Sequence, residues 1–168
     1  MEEILKRISS YNLANYIVPG IIYTLLMSEY LNYTEILQNP ILLLIVAYFI
    51  GVVISRFGSI VIAPCLSLFL SKKHTYQEYL CAEKSDAKIQ SLVEDQNLYR
   101  SIISLLIISY FSIKYLDIRS SYEWIQKYEY EIFFINLVIL FILAYAKQSN
   151  FINGRVLSYL RSTKNPTQ

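Results

Sequence analysis

One histidine, two cysteines and four glycines in 168 residues leave little material for common catalytic chemistry. The single His74 stands beside Lys72 and Lys73 with no second imidazole at metal-ligand spacing, so it reads as a surface residue. Cys65 and Cys81 are too few for a disulfide framework or a metal site, and no base is spaced to make Cys81 a nucleophile. No glycine-rich phosphate loop is present, and no acid falls inside a long apolar run, as coupled cation transport usually requires. We expect no catalytic residue, no metal ligand and no cofactor. No Lys/Arg cluster is interleaved with aromatics, which excludes a nucleic-acid platform.

Charge is also missing over long intervals. The stretch 40–70 carries only Arg56, and 11–28, 101–113 and 132–146 carry no Asp, Glu, Lys or Arg. A bilayer crossing needs about 20 apolar residues, and 55% apolar content is high for a soluble domain. The runs show no polar face repeating every three or four residues, as a soluble helix would. The expected fold is therefore all-α: a polytopic membrane protein, one domain over 1–168, with four transmembrane helices near 11–31, 40–57, 98–116 and 130–147. A cytoplasmic helical segment, 58–97, is inserted between helices 2 and 3. Met1–Ser10 has mixed charge and no evident cleavage site follows, so the first helix is expected to be its own insertion signal.

Charge distribution predicts the orientation. Only Lys114, Arg119 and Lys127 fall on one side; the other twelve of fifteen Lys and Arg fall on the opposite side. The positive-inside rule then puts both termini in the cytoplasm, in a bacterial inner (plasma) membrane. Arg56 lies about 24 Å along the second helix from Pro40, near the inner boundary, where Arg56 and Arg100 would anchor to the interface.

Small residues recur every fourth position in the second run: Ala47, Gly51, Ser55, Ser59 and Ala63, with Gly58 beside them. Such a stripe admits a second helix closely, and it is the expected helix-packing and oligomer surface of a homo-oligomer. Ser101, Ser104 and Ser112 form a lesser stripe on the third helix. Pro19-Gly20 is a candidate kink or hinge in the first helix, which also carries Asn12 and Asn15. Pro64 is a third candidate hinge residue, where the second helix, continued past the membrane, would bend.

In the insertion, Thr75 with Glu78 reads as a capping box opening a helix to about Lys84. A second helix would start near Ser85-Asp86, and segment 71–97 could engage a cytoplasmic protein partner. Trp124, Tyr128 and Tyr130 suit an outer aromatic belt, and Asn136 is expected to pair with a neighbouring helix. Asn153-Gly154 reads as a turn before a short amphipathic helix, with a disordered end from Ser162. Asn32-Tyr33-Thr34 fits a glycosylation sequon, relevant only in a eukaryotic secretory pathway.

The series Gly51-x-x-x-Ser55-Arg56-x-Gly58-Ser59, Tyr76-x-x-Tyr79, Ala82-x-Lys84-x-Asp86-x-Lys88 and Asn97-x-Tyr99-Arg100 covers roughly 40–105. It resembles small bacterial four-helix membrane proteins of unknown function, some of which accompany phage-defence genes. The resemblance implies a membrane-associated effector or sensor. Against this stand two other classes: a non-conducting scaffold or accessory subunit, and a channel or transporter subunit with its own solute.

Overall fold

A computed structural model describes residues 10–32, 35–68, 76–86 and 88–164. Among these, every regular element is helical: α1 (Ser10–Tyr30), α2 (Glu35–Gln38), α3 (Pro40–Phe57), a π-turn (Gly58–Ile62), α4 (Ala63–Ser67), α5 (Tyr76–Ser85), α6 (Lys88–Arg119) and α7 (Glu123–Lys164). Three stretches are long and apolar enough to cross a bilayer: Pro40–Ser67, Lys88–Arg119 and Glu123–Leu160. At 21 residues α1 has the length for a crossing, yet it is not among the three. Its asparagines, tyrosines, proline and glycine lower its apolarity.

Local chemistry explains the boundaries. Asn39 has extended backbone, and its side-chain oxygen accepts hydrogen bonds from the Ile41 and Leu42 amides at 3.1 and 3.2 Å. Pro40 occupies the first turn, where its missing N–H is harmless. After α1 the chain reverses at Asn32, whose φ of 54° is the left-handed conformation that asparagine tolerates. Asp86 caps α6 by accepting from the Lys88 amide at 2.9 Å, close to the start expected from Ser85-Asp86.

Several boundaries move relative to the expectations. The helix expected over 98–116 begins ten residues earlier, at Lys88, because 88–97 continues the backbone hydrogen bonding without a breaker. The one expected over 130–147 runs from Glu123 to Lys164, with a single departure from helical angles at Tyr128 (φ −113°, ψ 16°). Asn153-Gly154 is not a turn: both residues are helical, and the Ser158 hydroxyl donates to the Gly154 carbonyl at 2.9 Å. A lone glycine weakens a helix by only about 1 kcal/mol, and here the flanking residues carry it through. At 1.5 Å per residue α6 and α7 span about 48 and 63 Å, so each overshoots a hydrocarbon core of about 30 Å.

The interior is rich in small and polar residues. Among the described residues Asn15, Thr24, Ser28, Ser55, Ser101, Ser104 and Ser109 are buried, beside Pro19, Met27, Ala47, Ile54, Ile62 and Leu105 among apolar side chains. Large apolar residues such as Phe49, Leu106, Phe111, Phe133, Phe134 and Ile142 are exposed. In water this distribution would leave a large apolar surface uncovered. Against lipid tails it is stable, since burying leucine gains nothing there, whereas small and polar residues gain close contact and hydrogen bonds.

α1 and α3 cross with their backbones touching. A Cβ added to Gly20 would stand 1.7 Å from the Ala47 carbonyl oxygen, and one added to Gly51 would stand 1.7 Å from that of Tyr16. Each helix thus lends a glycine to the other's backbone. α6 closes the third side, with Ser104 filling the space against Gly58. Pro19 and Gly20 are buried in this crossing, and α1 remains one helix through them.

Candidate functional site: the Arg56 end of the bundle

The small-residue stripe is occupied within the chain. Ala47, Gly51, Ser55 and Gly58 are all buried, the first two against α1 and Gly58 against α6. Ser59 and Ala63 are half-buried. The stripe does what small residues do in membranes, but its partners are helices of the same protomer, which leaves those four residues no surface for a second copy. The serines of α6 divide similarly. Ser104 is fully buried and donates to the Arg100 carbonyl at 2.7 Å, while Ser112 shares a 2.8 Å hydrogen bond with the Tyr23 hydroxyl. Among the buried side-chain atoms with no hydrogen-bond partner among the described residues are Asn15 Oδ1, Ser101 Oγ and Ser109 Oγ.

The helical run that begins with α3 continues through Pro64 to Ser67. It changes register just before the proline, in the π-turn, where the Ala63 amide donates to the Gly58 carbonyl five residues back. In that register residue 64 would donate to the Ser59 carbonyl, but proline has no N–H. The Ser59 carbonyl is instead met by the Lys147 ammonium of α7. A cation on one helix thus replaces the donor that a proline removes from another, and the bond is charge-assisted. Pro64 itself is exposed, in the first turn of α4.

Two further cations gather around this turn. The Arg100 stem lies against Gly58, its Cγ 3.4 Å from where a glycine Cβ would be. Arg56, half-buried near the end of α3, donates through Nη2 to the Tyr16 hydroxyl at 3.5 Å, and Tyr16 packs edge-on against Tyr48 with ring centroids 5.9 Å apart. Arg56, Arg100 and Lys147 therefore come from three helices to one level of the bundle.

Elsewhere α7 is held sparingly. At its other end Arg119 forms an ion pair with Glu129 (2.5 Å), and the Gln126 amide donates to the Arg119 carbonyl at 3.1 Å. Between the ends, Phe49 and Phe141 approach with centroids 6.4 Å apart. An open apolar pocket of about 850 Å³ is lined by Met27, Phe49, Ile54 and Phe111 of α1, α3 and α6 among others, with Phe133 and Asn136 from α7. Asn136 borders it without reaching across: its amide donates to the Ile132 carbonyl of its own helix at 2.7 Å.

Lys147 and the Ser59 carbonyl were not expected as a pair. The available signal was that Lys147 is the only charged residue of α7 between Glu131 and Arg155, together with a proline in an apolar helix. Cys65 and Cys81 are free and exposed. His74, Thr75 and the sequon residues Tyr33 and Thr34 lie outside the described residues, as do residues 165–168. The α5 helix, Tyr76–Ser85, nevertheless follows the course expected after Thr75.

No protein-family model matches this chain, and no curated protein or solved structure is similar to it.

Proposed function

We propose that the chain is a four-crossing membrane effector or sensor, without a chemical reaction of its own. In this reading α1 is the fourth crossing, supported by its 21-residue length and its backbone contact with α3. The Arg56 end faces the cytoplasm of a bacterial inner membrane with both termini, as the excess of Lys and Arg on that side favours. Segment 71–97 receives a trigger or a protein partner, and α7 is the element that moves. Homo-oligomers form through α7 rather than through Gly51, since the small-residue stripe is already covered.

The observation that carries this reading is the unequal attachment of α7: polar clasps at its two ends, and an apolar cavity between them. A helix so held has two separable states, docked and released, which is the minimum a relay needs. Induced expression with a membrane-potential dye tests it. Depolarisation that Lys147→Met or Glu129→Gln enhances supports an effector driven by α7 release. A potential that stays unchanged in wild type and both variants overturns the effector reading.

A non-conducting scaffold is the second reading, and the α1–α3 crossing favours it, because touching backbones leave no passage through the core. A role in phage defence rests on the sequence resemblance alone. Plaque counts with and without the gene test it, and equal counts across a phage panel would remove it.

A further inference from the structure

We infer that copies of this chain join through two different helix faces, α7 of one copy seated on α6 of the next, with Arg155 paired to Asp95. The inference rests on the membrane reading above and names the faces through which α7 assembles. Arg119 of α6 meets Glu129 of α7 at one end of the bundle, while Arg100 borders Gly58 and Lys147 reaches Ser59 at the other. Residues 88–99 of α6 and 148–164 of α7 therefore leave the bundle at the same end. Their surroundings are opposite in charge: 76–97 has five acids and two bases, whereas 148–164 has three bases and no acid.

On α6, Leu92, Asp95, Tyr99, Ile102 and Leu106 are exposed at spacings of three and four, on the face away from buried Ser101 and Ser104. On α7, Tyr145, Ile152 and Val156 are exposed on the face opposite Lys147, and Arg155 stands three residues from Ile152 at its edge. Among the described residues neither Asp95 nor Arg155 has an ion-pair partner. Counted from the Gly58–Ser59 level at 1.5 Å per residue, Leu92 and Val156 lie about 12 and 14 Å out, and Asp95 and Arg155 about 8 and 12 Å. Each pair is separated in depth by less than one helical turn. Positive-inside insertion orients every copy alike, so these depths coincide between neighbours. Both stripes turn away from their own bundle, so a second copy is needed to bring them together. Beyond the hydrocarbon, Leu92, Ile152 and Val156 gain from being covered, as they would not within it. A contact between two different faces builds rings or rows of copies.

The test uses the full chain carrying Cys65→Ser and Cys81→Ser, expressed as two differently tagged forms in one membrane. Leu92→Cys in one form and Val156→Cys in the other should join as a disulfide when isolated membranes are oxidised. Val156→Cys in both forms should link far less; an equal yield would mean a symmetric α7 pair and overturn the proposal. Asp95→Arg on the Leu92→Cys form, or Arg155→Asp on the Val156→Cys form, should lower the yield at least about threefold. The two reversals together, one on each form, should restore it, which a pair formed within one chain could not do. An unchanged yield in either single reversal, or a further loss where recovery is expected, would overturn the contact. A chain that links in this pattern without depolarising the membrane would overturn the effector reading and support the contact.

Discussion

The two halves of this bundle are held together by different physics. α1, α3 and α6 meet through glycine, alanine and serine, close enough that two backbones touch. α7 presents exposed Phe133, Phe134, Ile139 and Phe141, with an open apolar pocket of about 850 Å³ beside Phe133. In water the larger apolar residues would make the tighter contact. In lipid the order reverses, because a phenylalanine meets hydrocarbon whether its neighbour is a helix or an acyl chain. What remains to fix α7 is polar and sits at its ends.

Changing single residues can break this contrast. The largest effect is expected from Gly51→Leu, which places a side chain where the Tyr16 carbonyl already stands. We expect a loss of at least about 4 kcal/mol and collapse of the α1–α3 crossing, read as aggregation on size exclusion in detergent. The variant therefore tests folding, not assembly. Next is Lys147→Met, which leaves the Ser59 carbonyl without its charged donor and should cost about 1.5–3 kcal/mol. Hydrogen exchange should rise along α7 and stay low along α1 and α3; a uniform rise would mean that the two halves are one cooperative unit.

Pro64→Ala sharpens the same contrast by returning an N–H to position 64. On that background Lys147→Met should cost about 1 kcal/mol less than alone, and strict additivity in a double-mutant cycle would refute the coupling of proline to lysine. At the opposite end, Glu129→Gln should cost at most about 1 kcal/mol and lose its effect as salt rises, since the Arg119 side chain is 41% exposed. The smallest change is Gly154→Ala, which meets nothing within 4 Å and should be stabilising by up to about 1 kcal/mol in a thermal melt. A destabilising result there would restore the turn that Asn153-Gly154 suggested.

Much of the architecture is legible from residue pattern. The uncharged runs mark α3, the middle of α6 and the middle of α7, and Asn39-Pro40 marks a helix start for a reason the structure repeats. The stripe from Ala47 to Ser55 is legible as a place of close approach. Its partner is not, because spacing records how near a helix can come and says nothing of which helix arrives. Gly20 illustrates the point: beside Pro19 it reads as a hinge, yet its absent side chain is room for the Ala47 carbonyl. The π-turn is harder still. One residue of register slip leaves no compositional mark, and the Lys147–Ser59 bond depends on that slip.

Order of synthesis gives the loose helix a further meaning. α7 is the last of the four long helices to leave the ribosome, and the buried serines, threonine and asparagine all lie on α1, α3 and α6. A nascent chain that has reached Arg119 already holds every residue of the touching-backbone crossing. The final helix then needs to find only one carbonyl, kept open for it by a proline about 80 residues upstream. Premature stops after Arg119 should therefore yield a stable remnant in the membrane rather than debris for proteases, a truncated bundle that waits with one acceptor unfilled.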